Sequence, residues 1–151
     1  MPHFRSDAEI ERIGRGLLDR SLPKVEWTHA GHFAAAFWLL RQPGFEAGRD
    51  MPDLIRAYNE ATGTPSTDSG GYHETITQAS LRTARAWLAA RPELPLHLAL
   101  EQLLDSAYGR SGWLLEYWSR EVLFSVAARR GWIEPDLRPL PFPAAVQGTR
   151  V

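Results

Sequence analysis

The spacing of apolar residues constrains the fold of this chain more than any other feature of its sequence. Over most of the chain they recur every three or four positions, as on one face of an α-helix, and no stretch shows the alternation of a half-buried β-strand. Proline, glycine or a capping residue interrupts the pattern at intervals. The sequence therefore predicts an all-α fold, a compact single-domain bundle of about five to seven helices.

Capping residues and helix breakers give approximate bounds for these helices. Ser6 opens a capping-box pattern before the first helix. Thr28 caps a second helix that is apolar on nearly all sides and is therefore expected to be buried. A third helix is predicted over residues 50–63, with Pro52 in its first turn. Ser119 is expected to interrupt the last helical stretch. The extended, proline-rich tail is expected to pack back through Leu137, Leu140 and Phe142.

The composition excludes several classes of function. The chain of 151 residues contains no cysteine, which excludes disulfides, thiol chemistry and cysteine-ligated metals. Its net charge of −1 lacks the basic excess that is typical of nucleic-acid-binding proteins. The sequence shows neither a signal-peptide core nor an apolar run of the ~18–20 residues that span a bilayer. We therefore expect a cytoplasmic protein without a nucleic-acid or membrane partner. A small-molecule ligand and a homodimer both remain open, and residues 1–5 and 144–151 are expected to be flexible.

Two of the five histidines, His29 and His32, lie three positions apart at the start of the second predicted helix. Residues at this spacing project from one helix face with Cβ atoms roughly 5–6 Å apart, so that both rings can bind one cation. Small and apolar neighbours indicate that this helix is buried, and buried imidazoles need polar partners. Taken alone, however, a His-x-x-His pair is more often a pair of surface or capping residues.

A third histidine, His73, follows the Gly- and Ser-rich segment 63–71 and begins another predicted helix. If the two helix starts converge, three imidazoles meet, and this is a familiar ligand set for a divalent transition metal such as zinc, iron, nickel or manganese. The predicted metal ligands are thus His29, His32 and His73. The segment 63–71 is either a lid over such a site or a plain surface connection.

The neighbours of His73 are the candidate catalytic residues. Glu74 would be a further ligand, a carboxylate that orients a histidine, or a general base beside metal-bound water. Tyr72 would border the open coordination position as a hydrogen-bond donor. In the structural alternative the two residues have only a capping role, in which Glu74 complements the helix dipole and His73 is simply solvated. His97, which lies between leucines, is expected to be a core histidine bonded to a carbonyl group.

Several motifs resemble those of one protein family. The most specific are "GYHETIT" at residues 71–77 and "PDLRPLP" at residues 135–141, and they follow a W-x-H-x-x-H pattern that begins at Trp27. The likeness extends over roughly residues 25–141 and is to a family of small, all-helical bacterial proteins of uncharacterised function. It implies the fold but no activity. More loosely, the chain resembles metal-binding bundles of the DinB/YfiT type, in which three histidines hold a divalent metal. The chain has no His-x-x-x-His pair to complete that pattern, so the thiol-transferase activities of those bundles are not implied.

Two functional hypotheses follow from these observations. In the first, the chain is a divalent-metal-binding helical protein, which as an enzyme would act on a small molecule through metal-bound water or metal-bound substrate. In the second, it is a metal-free ligand-binding or protein-interaction module with an aromatic pocket. Its histidines would then be capping and core residues.

Overall fold

A computed structural model describes residues 2–144 of the chain. In this range it contains α-helices and short 3₁₀ helices but no β-strand, which confirms the predicted all-α class. The α-helices are α1 (Asp7–Asp19), α2 (His29–Leu40), α3 (Ala47–Ala61), α4 (Glu74–Ala89), α5 (Leu96–Asp105), α6 (Arg120–Leu123) and α7 (Val126–Arg130). The 3₁₀ helices cover Lys24–Glu26, Ala107–Gly109 and Trp113–Glu116. No helix among the described residues combines the length and apolar character that crossing a bilayer requires.

Helix α2 lies at the centre of the bundle, against α1, α3, α4 and α5. Eight of its twelve residues are buried, as predicted from its apolar circumference. Thr28 caps the helix as expected, because its hydroxyl oxygen accepts a hydrogen bond from the backbone N–H of Gly31 at 3.1 Å. A Cβ atom at Gly31 would collide with the backbone carbonyl oxygen of Glu26. Glycine at this position therefore allows the preceding 3₁₀ turn to pass close to the start of α2.

Helix α3 begins earlier than the sequence predicts. Glu46 caps it by accepting hydrogen bonds from the backbone N–H groups of Arg49 at 2.7 Å and Gly48 at 3.3 Å. Pro52 consequently lies inside the helix, and its predicted place in the first turn is wrong. Since proline has no N–H group, it leaves the carbonyl oxygen of Gly48 without a helical donor. The side chain of Gln78 on α4 donates to that oxygen at 3.0 Å, which explains why the proline is tolerated.

The C-terminal part of the described chain forms a second core cluster beside α4, centred on the completely buried Trp118. Ser119 caps α6, which confirms the predicted break, and Ser125 caps α7 at a break that the sequence analysis missed. Leu140 packs against the cluster and Phe142 against Tyr108, whereas the side chain of Leu137 is exposed. The tail therefore packs back through two of the three predicted residues.

Of the two segments predicted to be flexible, the structure describes residues 2–5 of the first and only residue 144 of the second. Near the N-terminus, the backbone N–H groups of His3 and Phe4 donate to the carboxylate of Glu101 at 2.6 and 3.0 Å. These contacts tie the residues before α1 to α5. The last residues, 145–151, lie outside the described range together with residue 1.

Candidate ligand-binding site

A cavity of about 320 Å³ lies between α2, α3 and α4 and is bordered by Ser111 and by Leu114 of the 3₁₀ helix Trp113–Glu116. Most of its wall is apolar. The lining residues are His29, His32, Phe33, Ala36, Met51, Ile55, Ile76, Thr77, Ser80, Leu81, Ser111 and Leu114. None of these described lining residues carries a formal charge when the histidines are neutral. The polar side chains of the cavity wall are thus two imidazoles and three hydroxyls.

The His32 ring is held in one orientation by its neighbours. Its Nδ1–H donates to the carbonyl oxygen of Thr28 at 2.7 Å, and the ring stacks on Trp27 with the two centroids 3.7 Å apart. The bond to Thr28 fixes the tautomer, so that Nε2 carries the lone pair in the neutral ring. Within the described part of the chain Nε2 makes no hydrogen bond. His32 therefore offers one unused acceptor at the cavity.

The apolar surroundings also favour the neutral form of His32. The pKa of the imidazole is lowered from 6.5 to about 4, chiefly by desolvation. The hydrogen bond to the Thr28 carbonyl opposes this shift, and the nearby His29 adds to it. The His32 side chain is solvent-exposed, but the surface that it exposes forms part of the cavity wall. Protein atoms around the cavity therefore still desolvate the ring. At neutral pH His32 is consequently an uncharged hydrogen-bond acceptor.

His29 repeats this arrangement one helical turn earlier. Its Nε2–H donates to the carbonyl oxygen of Tyr108 at 2.8 Å, and its ring meets Phe33 edge-on at a centroid distance of 5.3 Å. Nδ1 is left without a hydrogen bond in the described residues. In metal centres, a ligating histidine characteristically donates its other ring N–H to a carbonyl or carboxylate. His29 and His32 therefore line one cavity, as their spacing predicts, and each has one free nitrogen.

His73 is placed differently. Its side chain is only 7% exposed, Nδ1 accepts the backbone N–H of Ile76 at 3.2 Å, and Nε2–H donates to the carbonyl oxygen of Leu123 at 2.7 Å. Burial lowers the pKa of the ring below its ordinary value. His73 thus caps α4 with both nitrogens engaged, and the alternative that it is simply solvated is wrong.

The structure does not bring the three predicted metal ligands together. His73 is not among the residues that line the cavity of His29 and His32. In residues 2–144, no group of three or more His, Asp or Glu side chains is arranged to hold a metal ion. A metal centre in this chain therefore stays a prediction.

Tyr72 and Glu74, the predicted catalytic pair, are bonded to each other. The buried Tyr72 hydroxyl donates to Oε1 of Glu74 at 2.5 Å, and Arg56 lies over the Tyr72 ring at 4.3 Å. Burial, and then the Glu74 carboxylate, raise the pKa of the Tyr72 hydroxyl well above its usual range. Neither Tyr72 nor Glu74 is among the residues that line the cavity of His29 and His32.

His97 is not the core histidine that its leucine neighbours predict. It is half-buried at the start of α5, and its Nδ1 lies 2.6 Å from Oδ1 of Asp7 on α1. The same carboxylate oxygen accepts the backbone N–H of His97 at 2.8 Å. Helix α5 follows Pro95, which has no side-chain acceptor, so the carboxylate of another helix caps it. The expected bond to a carbonyl group is wrong.

Several cavity residues were not singled out from the sequence. Ser80 and Leu81 lie three and four positions after Thr77 on α4, so both are its neighbours on one helix face, and this pattern was available. Ser111 lies in a turn, and only the tertiary arrangement brings it to the cavity. Hydroxyls inside an apolar stripe are thus the signal that sequence reasoning missed.

Comparisons with protein-family models, with curated proteins and with solved structures find no match to this chain. The resemblance to small bacterial helical proteins therefore stays a prediction.

Proposed function

We propose that the protein binds a small, neutral and largely apolar molecule in the cavity at His29 and His32. The observation that carries this proposal is the unused ring nitrogen of His32 at an apolar cavity whose described wall has no formal charge. A carboxylate or ammonium group on the ligand would lose its hydration there without gaining a charged partner. The wall therefore selects an uncharged ligand.

The volume of the cavity sets the size of the ligand. A dry cavity of about 150 Å³ is known to hold one benzene molecule. At 320 Å³ the present cavity is about twice as large, which corresponds to roughly twelve non-hydrogen atoms on that scale. We infer a single aromatic ring or a short branched chain with one hydroxyl or N–H group, which donates to Nε2 of His32. The hydroxyls of Thr77 and Ser80 would complement other polar atoms.

A matched pair of ligands tests this proposal. Calorimetry with a short-chain alkylphenol, and with the hydrocarbon in which methyl replaces the hydroxyl, separates the hydrogen bond from apolar burial. We expect His32→Leu to weaken binding of the phenol about tenfold, as the loss of one hydrogen bond of about 1.4 kcal/mol would, and to leave the hydrocarbon unaffected. His97→Gln, a histidine change away from the cavity, should change neither affinity.

A second variant tests the location. Ser80→Leu adds apolar volume at the cavity wall and should abolish binding of both ligands while the helical circular dichroism spectrum is retained. The proposal is wrong if neither ligand binds the wild-type protein, or if both bind Ser80→Leu as tightly as they bind the wild type.

A divalent metal bound by His29 and His32 is the second candidate function. It is supported by the two ring N–H groups that donate to backbone carbonyls and leave Nδ1 of His29 and Nε2 of His32 free. Two protein ligands would leave the remaining positions to water or substrate. Glu74 is not among the residues that line the cavity, so no general base is assigned in this candidate. His73 would take no part in binding the metal, since it caps α4.

Elemental analysis of the purified protein tests this second candidate. We expect stoichiometric zinc, iron, nickel or manganese that is lost in a His29→Ala/His32→Ala double variant and retained in His73→Asn. Metal lost in His73→Asn but retained in the double variant would contradict this assignment. A protein that takes up none of these metals would leave the neutral-ligand proposal as the function.

A further inference from the structure

Three arginine side chains meet at a recess of about 320 Å³ beside the segment 63–71. The recess shares no lining residue with the apolar cavity. Arg56 comes from α3, and Arg129 and Arg130 come from the end of α7. Asp68 is the only carboxylate among the described lining residues, so three positive charges face one negative charge and the formal charge of the wall is +2.

Two of the three arginines are held by uncharged partners. Nη1 of Arg129 donates to the carbonyl oxygens of Gly71 and Tyr72, each at 3.2 Å, and the remaining N–H groups of its guanidinium are left for another acceptor. Arg56 lies over the ring of Tyr72 at 4.3 Å. Its ion pair with Asp53 is long, at 3.3 Å, and involves a carboxylate that is 86% exposed, so it neutralises little. Both guanidinium groups are thus oriented without being neutralised.

The third arginine shows how an anion would be bound. Nε and Nη2 of Arg130 both approach one carboxylate oxygen of Asp68, at 3.0 and 2.7 Å. Both side chains are exposed, so this ion pair contributes little to stability and can exchange for another anion.

The nearby hydroxyls add donors to the recess. Oγ of Ser66 accepts the backbone N–H of Tyr72 at 3.3 Å, and Oγ1 of Thr67 accepts that of Gly70 at 3.0 Å. Because these oxygens act as acceptors, their hydroxyl hydrogens remain available to a ligand.

From this arrangement we infer that the recess binds the phosphate group of a small phosphate monoester. The planar forks of arginine match the several oxygens of a phosphate, and charge-assisted bonds of this kind are the strong ones. The volume exceeds that of a phosphate group alone and leaves room for a small organic substituent. In the complex, a phosphate oxygen replaces the Asp68 carboxylate on Arg130. The inference is independent of the cavity proposal, since the two sites share no residue and differ in charge.

The test is a nuclear magnetic resonance titration with phenyl phosphate and with inorganic phosphate at constant ionic strength. Saturable shifts are expected for the backbone amides of residues 66–71 and for the Nε–H groups of the three arginines, with tighter binding of the monoester. Arg56→Gln and Arg129→Gln should each raise the Kd about tenfold, the loss expected for one charge-assisted contact. Asp68→Asn removes the competing carboxylate and should lower the Kd several-fold. Arg41→Gln, at an exposed arginine outside the recess, should leave it unchanged.

Three results would overturn the inference. One is the absence of saturable shifts with either phosphate. The second is a Kd that Arg41→Gln raises as much as Arg56→Gln does, since only net charge would then matter. The third is a Kd that Asp68→Asn leaves unchanged. If Arg129→Gln loosens the segment that it anchors, Arg56→Gln and Asp68→Asn still decide the matter, because neither side chain makes a hydrogen bond to that backbone. Binding of inorganic phosphate alone would overturn the assignment to a monoester.

Discussion

The starts of α2 and α4 both carry histidines, yet the structure uses these residues in different ways. At α2, His29 and His32 each donate one ring N–H to a backbone carbonyl and keep the other nitrogen free at a cavity. At α4, His73 has both nitrogens engaged inside the core. The number of ring nitrogens left without a partner, rather than the position on the helix, therefore decides which histidine is available for binding.

The difference between the two helix starts originates in the capping residue. Thr28 caps α2, so the histidines that follow it need not satisfy the backbone. Helix α4 has no Ser, Thr, Asp or Asn at the equivalent position, and the imidazole of His73 accepts the Ile76 N–H instead. A neighbouring carbonyl, that of Leu123, then occupies the second nitrogen.

The largest expected effect is that of removing the cap of α4. His73→Ala should lower the free energy of unfolding by about 2–4 kcal/mol, because it removes a helix cap and leaves the carbonyl of the buried Leu123 unpaired. His32→Ala should cost less than about 1 kcal/mol, since it removes one exposed ring. Urea denaturation of both variants measures the difference. Equal losses would contradict the distinction between a structural and an available histidine.

A smaller loss is expected from the hydrogen bond that follows the cap. Tyr72→Phe should lower the free energy of unfolding by about 1–2 kcal/mol, because the Glu74 carboxylate loses a buried donor. Glu74→Ala, which removes the acceptor, should have a similar effect. The double variant should cost less than the sum of the two single variants, since both remove the same bond. Strict additivity in urea denaturation would mean that the Tyr72–Glu74 bond does not stabilise the start of α4.

The pH dependence of the free energy of unfolding tests whether His32 is neutral in the folded protein. The pKa of His32 is about 4 in the folded protein against 6.5 ordinarily, so the unfolded chain binds the proton more tightly. The stability that neutral His32 contributes is complete above pH 6.5 and is lost as the pH falls toward about 4. Because the side chain is exposed, we expect a loss of less than about 1 kcal/mol.

Comparison with His32→Gln isolates this contribution. The variant keeps His73, whose pKa is also lowered, so the two proteins differ only in the pH-dependent contribution of His32 to the free energy of unfolding. Wild type should lose more unfolding free energy than the variant between about pH 7 and about pH 5. Parallel pH profiles would contradict the neutral, desolvated state of His32.

The sequence predicts the fold well because periodicity and capping are local properties. Thr28, Ser6 and Ser119 all cap helices where the pattern places them. The interior position of Pro52 was missed because its tolerance depends on Gln78, which is distant in sequence. The break at Ser125 was missed because the apolar pattern continues across it.

The candidate site was predictable only in part, for a physical reason. The spacing of His29 and His32 places them on one helix face whatever the rest of the fold does. Whether His73 joins them depends on where α6 lies relative to the start of α4, since the carbonyl of Leu123 that occupies its Nε2 lies far along the sequence. The hydrogen-bond partner of each ring nitrogen thus depends on tertiary packing and cannot be predicted from residue spacing.

The last expected effect, of similarly small size, concerns a third helix start, that of α5, where the cap comes from another helix. The Oδ1 atom of Asp7 accepts both the backbone N–H and the ring Nδ1–H of His97. Burial raises the pKa of Asp7, but the hydrogen bonds from His97 outweigh it and the net shift is downward. This stability is therefore present above the ordinary pKa of 3.8 and is lost as the pH falls below it. Asp7→Asn keeps an acceptor and should cost about 0.5 kcal/mol in urea denaturation at neutral pH, whereas Asp7→Ala should cost about 1 kcal/mol. A loss in Asp7→Ala as large as that in His73→Ala would mean that solvent exposure does not weaken a helix cap.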